Sequence, residues 1–365
     1  MRLLFVLAVL CLIAAGVFEW AYSAWDGPGM PARSGSETVV MVAPHTRVHD
    51  IAQTMEQAGA LKSAVIFELN LRIRGLADKV KAGEYAIPSG ASMHAIADIL
   101  VEGKSIQHKL TAAEGLTSDM IWKLVQKNDV LVGDAGLVPQ EGSLLPETYL
   151  FTRGETRAHL LAKMARAQDT FLAGKWESRA GGLPLASMRE AIILASIVEK
   201  ETGLASERRH VAGIFINRLK IGMRLQTDPT IIYDLTKGYP LGRGIRASEL
   251  AAATPYNTYV ITGLPPGPIC NPGKDAIAAV LNPETSDDLY FVATGHGGHA
   301  FAATIAQQER NVAAYRAFER HANENPAPDS VTVSERLEET PVPVPDVKAP
   351  KLPAPHKKKR AGHRR

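Results

Sequence analysis

The sequence predicts an α+β protein in four parts. These are an N-terminal transmembrane helix, a small βααβ unit, a larger mainly helical domain with short strands, and a disordered basic tail. Three observations carry this. The chain opens on an apolar run from Leu3 to Tyr22, interrupted only by Glu19. Short apolar strands then alternate with segments of helical periodicity across the middle of its 365 residues. From Asn323 onward the chain is rich in Pro, Glu, Val and Lys and has no period.

The apolar run is long enough to span a bilayer, which takes about 20 residues. Trp20 and Tyr22 suit the interface. Arg2 precedes the run and Glu19 and Asp26 follow it, so the positive-inside rule puts the N-terminus in the cytoplasm and the bulk outside. Residues 1–22 are therefore expected to be an anchor. Residues 23–37 (SAWDGPGMPARSGSE) read as a Gly-, Pro- and Ser-rich linker.

Residues 38–104 form the small unit. TVVMVAP is a strand, VHDIAQTMEQAGA and SAVIFELNLRIRG are helices, and KAGEYAIPSGAS is a strand and turn. The apolar strand, the I-A helix, the F-x-L-N helix and the G-x-Y-x-I-P strand together resemble LysM, a small glycan-binding module. MHAIADILVEG repeats the build of the first helix and adds a third.

Residues 105–322 form the larger domain. EGLTSDMIWKLV opens a helix with Thr117 as its cap, and EGSLLPETYLF is strand- or loop-like. Helices follow from Thr156 to about Lys175, from Glu190 to Thr202, and over ASERRHVAGIFINRLKIGM. After Met223 the chain reads as loops, then a hairpin over DDLYFVATGHGGHAFAATI and a closing helix over IAQQERNVAAYRAFERHA.

Charge excludes one class of partner. Net charge is +3, but residues 351–365 hold seven Lys or Arg and no acid, leaving the preceding residues at −4. The folded part is not a basic nucleic-acid binder. The tail PHKKKRAGHRR suits an electrostatic tether to an anionic surface. Cys11 and Cys270 are the only cysteines, so no disulfide staples the soluble part. No metal-ligand spacing, P-loop, dinucleotide fingerprint or nucleophile elbow occurs. His296 and His299 share GHGGH without a third ligand nearby, and no metal is expected there.

What remains is AIILASIVEKETG, Ala191 to Gly203. On a helix, Glu201 lies one and two turns beyond Val198, Ile197 and Leu194, on the apolar stripe. Glu199 follows Ala195 and Ser196, on a smaller and wetter face. Held in low dielectric, Glu201 stays protonated near neutral pH and is a proton donor. Two polar loops supply candidate sugar-binding groups. RLQTDPTIIYDL carries Gln226, Thr227 and Asp228, and TPYNTYVITGLPPGPICNPG carries Tyr256, Asn257 and Tyr259. Aromatic rings cover apolar sugar faces, and amides pair with hydroxyl and N-acetyl groups.

ASIVEKET, ASERRHVAGIFINRLKIGMRLQTDPTIIY, TPYNTYVITGLPPGPICNPG and LYFVATGHGGHAF, in that order, closely resemble the endolytic murein transglycosylase (YceG-like) family. The resemblance covers roughly residues 38–320. It implies an anchor, a LysM-like subdomain and a catalytic domain. It also implies that the catalytic glutamate is the second of the E-K-E-T motif, Glu201. The family's P-[DE]-T-Y element is PETY here, with Glu147. The implied reaction cleaves the β-1,4 bond between N-acetylmuramic acid and N-acetylglucosamine without a cofactor, closing a 1,6-anhydro ring. The implied setting is the bacterial inner membrane with the catalytic domain in the periplasm, and cell-wall synthases are implied partners. Two other readings stay open: a two-carboxylate muramidase pairing Glu201 with Asp228 or Glu199, and a glycan-binding scaffold without catalysis.

Overall fold

A computed structural model describes residues 22–324 continuously and, before them, residues 9, 12, 13, 15, 16, 19 and 20. Most of the apolar run and nearly all of the basic tail lie outside the described residues. No helix among the described residues is long and apolar enough to cross a membrane. Leu12, Ile13, Trp20 and Tyr22, the large apolar members of the run that are described beyond Val9, are well exposed.

The small unit has the expected order. β1 (Glu37–Val42) pairs antiparallel with β2 (Gly83–Pro88), and α1 (Val48–Ala58) and α2 (Ala64–Ile73) lie between them. Strand alternation turns Val40, Val42, Tyr85 and Ile87 inward while Val39 and Met41 face out. Gly59, in the left-handed region at φ 80°, stops α1, and Ser63 caps α2. α3 (Met93–Glu102), capped by Ser92, buries Met93, Ile96, Ala97 and Leu100 in the same core.

One segment departs from the sequence reading. The stretch expected to be a linker contributes Trp25, 1% exposed, to this core. Its indole stacks on Phe67 at 6.0 Å and on His94 at 5.9 Å, with the Arg74 guanidinium 4.9 Å from the ring centre. Asp26 accepts from His94, and Gly29 and Met30 exchange backbone hydrogen bonds with Gly90. A single aromatic anchor thus overrides a composition that reads as flexible, because one buried ring offers a large apolar area.

The larger part begins with β3 (His108–Thr111), a strand the sequence reading left out, which pairs antiparallel with β4 (Thr148–Phe151). α4 (Ser118–Gln126), capped by Thr117, and α5 (Arg157–Glu177), capped by Thr156, cover this ribbon. Glu84 joins the two parts, accepting from His108 at 2.7 Å and Arg153 at 2.9 Å. Glu147, in the turn into β4, makes an exposed ion pair with Lys274 at 3.2 Å.

The main core is built on α6 (Met188–Glu201). Every residue from Ala191 to Val198 is buried, so the helix is apolar on all sides rather than amphipathic. α7 (Ala205–Lys220) and α10 (Lys274–Leu281) pack on it. The region read as loops after Met223 therefore contains three helices: α8 (Asp228–Thr236), α9 (Ala247–Leu250) and α10. Pro229 is not the apex of a turn. It sits in the first turn of α8, where a missing N–H costs nothing. β5 (Tyr290–Ala293) and β6 (His299–Ala302) form the expected hairpin, and α11 (Ile305–Glu324) closes the described chain against it.

Replacing Trp25 by Ala in the chain lacking residues 1–22 should destabilise the small unit by about 3–5 kcal/mol, the usual cost of emptying a buried indole site. Thermal unfolding of that chain checks this. An unchanged transition would mean that residues 23–37 behave as a free linker.

Candidate active site

α6 ends on Glu201. Thr202 is extended at φ −139° and ψ 128°, so the helix stops there, and Gly203 does not adopt a left-handed stop. The last carbonyls of α6 point toward the Glu201 end, and the negative end of the helix dipole opposes a carboxylate.

Four elements converge on this carboxyl group. Thr227, the residue before α8, donates its hydroxyl to Glu201 Oε1. Thr227 is itself buried and held from behind. Its N–H donates to Thr258 Oγ1 at 3.0 Å, its carbonyl accepts from Thr230 Oγ1 at 2.7 Å, and Thr230 and Thr258 share a hydrogen bond at 2.9 Å. Asp228 stands beside it, exposed, accepting from the Tyr259 hydroxyl at 2.5 Å. Arg218, from the last turn of α7, is buried and has no carboxylate within ion-pair distance among the described residues. It donates to the carbonyls of Leu289 at 2.6 Å and Leu225 at 2.5 Å. His299, at the start of β6, is held by Glu207 through its N–H at 2.9 Å and its Nδ1 at 2.7 Å.

The balance of these groups sets the acidity. Burial pushes the Glu201 pKa up to about 7, opposed by the Thr227 hydroxyl. The Asp228 charge raises it further, while His299 and Arg218 pull it down. Burial is also the main cause lowering the Arg218 pKa and raising that of Tyr259.

Glu199 differs from its sequence reading. It is not on a wet face but half-buried, and it accepts from the Gly273 N–H at 2.9 Å at the start of α10. Burial raises its pKa too, against that hydrogen bond. Its carboxylate fixes the α6–α10 packing.

The other sequence-predicted residues divide. Gln226 has a left-handed backbone at φ 49°, donates its N–H to Thr258 O, and leaves its side-chain amide without a hydrogen bond among the described residues. Tyr259 reaches Asp228 and belongs to the Glu201 cluster. Asn257 is not available to a sugar. It is buried, and its amide donates to the carbonyls of Glu249, Leu250 and Ala252 while its Oδ1 accepts from the Tyr259 N–H at 3.0 Å. Tyr256 packs elsewhere in its contacts, its ring 5.1 Å from that of Tyr233 and its hydroxyl against Gly267, where a Cβ would approach it to 2.9 Å.

Sequence reading missed Arg218, His299, Thr230 and Thr258. Arg218 lies in RLK at a helix end, where a cation is ordinary, and His299 in a glycine-rich tip. Among the described residues no group of three or more His, Cys, Asp or Glu could hold a metal ion. His296 packs edge-on against Phe318 at 4.7 Å.

The family model for YceG-like proteins matches residues 40–314. The chain belongs to the YceG-like family. Two relatives from Streptococcus pneumoniae, each named endolytic murein transglycosylase, are 28% identical over 358 residues, covering 85% of this chain and 64% of theirs. This chain therefore spans less than two thirds of their length. A relative of the same name from Bacillus subtilis is 28% identical over 332 residues, covering 82% of this chain and 90% of its own. A YceG-like protein of known crystal structure from Listeria monocytogenes aligns at 29% identity and a TM-score of 0.48, covering 76% of this chain and 99% of its own.

Two outcomes follow for this YceG-like chain. Any activity that needs protonated Glu201 should fall as pH rises through about 7. Thr227→Val removes a hydrogen bond to the carboxylate and should move that limb to higher pH. Asp228→Asn removes a negative neighbour and should move it to lower pH. Opposite movements in a pH–rate profile check the assignment. Stability gives the second readout. A carboxyl with a folded pKa near 7 and an unfolded value near 4.5 stabilises below about pH 4.5 and loses that contribution as pH rises through 7. Glu201→Gln should therefore gain about 3 kcal/mol over the unaltered chain above pH 7 and nothing below pH 4.5. Denaturant unfolding at both pH values measures the difference.

Proposed function

We propose that this chain is a lytic transglycosylase of peptidoglycan. It would cleave the β-1,4 bond between N-acetylmuramic acid and N-acetylglucosamine within glycan strands and leave 1,6-anhydro-muramic ends. The observation that carries the reading is Glu201, a carboxyl at the end of a buried helix that accepts from the Thr227 hydroxyl and whose pKa burial pushes up to about 7. The name shared by the streptococcal and Bacillus relatives supports the same chemistry.

The chemistry asks for one such group. Glu201 gives its proton to the leaving glycosidic oxygen. The resulting carboxylate is held by the Thr227 hydroxyl and favoured by the nearby Arg218 guanidinium and His299 ring. As a base it then takes the proton of the muramic C6 hydroxyl, which attacks the anomeric carbon. The nucleophile belongs to the substrate, so its effective concentration is high and no water is needed. Asp228 and Tyr259, near Glu201, and Gln226, adjacent to Thr227 in the chain, are the side chains suited to sugar hydroxyl and N-acetyl groups. No cofactor enters the scheme.

The same reading gives the rest of the chain its setting. Residues 1–22 anchor it in a bacterial inner membrane with the N-terminus in the cytoplasm and the remainder in the periplasm, in keeping with the exposed Leu12, Ile13, Trp20 and Tyr22. The βααβ unit, with its docked Trp25 segment and third helix, is a LysM-like glycan-binding subdomain ahead of the catalytic domain of residues 105–322. Cell-wall synthases are its expected protein partners.

One observation favours a second reading. Asp228 is an exposed carboxylate beside Glu201, which suits a two-carboxylate muramidase that activates water. Products separate the two. Digestion of purified glycan strands by the chain lacking residues 1–22 should yield anhydro ends, whereas reducing ends would favour the muramidase. Glu201→Gln should lower turnover by about 10³-fold or more, since Gln keeps the volume but cannot donate a carboxylic proton. Glu199→Gln should stay within about tenfold, because its carboxylate holds a backbone N–H and not the substrate. Loss of activity in Glu199→Gln with retention in Glu201→Gln would overturn the assignment.

A further inference from the structure

A concave site lies beside the first turns of α7, the helix that follows Glu201 in the chain. It is a cavity of about 330 Å³ between the end of α5, the first turns of α7, and α10. Its charges are unbalanced. Lys175, Arg208 and Arg209 line it, with Asp275 as the one carboxylate among its lining residues. Neither Lys175 nor Arg209 has a carboxylate within 4 Å among the described residues.

Arg208 is the decisive residue. It is 8% exposed, and its Nε has no hydrogen-bond partner. Its guanidinium makes one protein hydrogen bond, a long one of 3.4 Å from Nη1 to Asp275, whose side chain is 75% exposed. The Glu199 carboxylate acts on this guanidinium through space without a hydrogen bond, and a buried Nε–H left unpaired is costly unless something else meets it. The α7 N-terminus adds to the positive field. Ala205 lines the cavity, and no side chain caps the helix at Leu204. Arg209 is braced by its own bond from Nε to Asn282 O at 2.9 Å, and Ser178 and Asn282 complete a polar wall. This donor set matches an oxyanion, a carboxylate or a phosphate.

We propose that this cavity is an anion subsite that takes a free carboxylate of the peptide stem attached to the muramic residue of the glycan strand. The identity of the ligand rests on the transglycosylase reading, while the anion site rests on the cavity alone. Reach favours the stem. The chain from Glu201 to Ala205 spans at most about 14 Å, and two or three extended stem residues span about 10 Å. The cavity edge at Ala205 therefore lies within a span that an extended stem can cover from a strand bound at Glu201. The subsite would make the enzyme prefer strands that keep their stems.

The test is binding, not cleavage. Calorimetric titration of the full-length chain carrying Glu201→Gln would use three probes: a soluble muramyl-peptide fragment with free stem carboxylates, the same fragment with those carboxylates amidated, and inorganic phosphate. The expected result is about tenfold weaker binding of the amidated fragment, with the preference declining as salt is raised. Lys175→Glu, an exposed change that the fold tolerates, and Arg208→Met should each abolish that preference. Equal binding of the two fragments would overturn the proposal. So would phosphate binding as tightly as the free fragment while amidation makes no difference, which would make the cavity a free-phosphate site. If unaltered protein fails to cleave strands but amidation still weakens binding tenfold, the subsite stands and the transglycosylase reading falls.

Discussion

The structure depends on a single constraint, a carboxyl group placed at the end of a helix whose body, Ala191 to Val198, is buried on every side. The last turn of α6 reaches the surface at Lys200, while Glu199 and Glu201 are partly covered by other elements. α7 and α10 pack along it, and the loop from Thr254 to Gly273 is tied across it. Ser196 Oγ accepts from the Ile269 N–H at 3.0 Å, and Glu199 accepts from the Gly273 N–H. Gly142 fits because a Cβ there would approach Ile192 and Pro268 to 2.7 Å. Glu201 lies at the edge of this enclosure, and burial, more than any single partner, pushes its pKa up to about 7.

The groups around Glu201 are arranged in opposition. Burial, the helix end and Asp228 favour the acid. The Thr227 hydroxyl, Arg218 and His299 favour the carboxylate. A group that donates a proton and then accepts one, the role proposed for Glu201, needs both influences, because either alone would lock it in one state. The positioning comes from polar contacts behind the site. Thr230 and Thr258 orient Thr227, Glu207 orients His299, and two backbone carbonyls orient Arg218. These residues are spread over α7, α8, the Pro/Gly-rich loop and the hairpin, so the site forms only when the whole domain is folded.

This spread explains what the sequence disclosed. The helix ending at Glu201 was legible from its apolar run, but the run is buried on all sides and gives no phase, so the half-buried setting of Glu199 was not. The strands and helices of the small unit were legible from a clean period bounded by glycine and serine. α8 and α10 were not, because each is short and set among Pro and Gly residues that read as loop. Trp25 was hidden by its flexible neighbours, since burial of one ring leaves no periodic trace. Asn257 looked like a ligand-binding amide, and only the folded loop reveals that its hydrogen bonds are taken. Arg218 and His299 act through tertiary proximity, which no local pattern carries.

The central claim is that Glu201 is a neutral acid at the pH where ordinary glutamates are ionised. A ¹³C NMR titration of the side-chain carboxyl resonances, with Glu201 assigned by its absence in Glu201→Gln, measures this directly. The account predicts a midpoint near 7, well above the exposed glutamates of the same chain. A midpoint at the ordinary value near 4.5 would contradict it and leave the end of α6 without a proton to give.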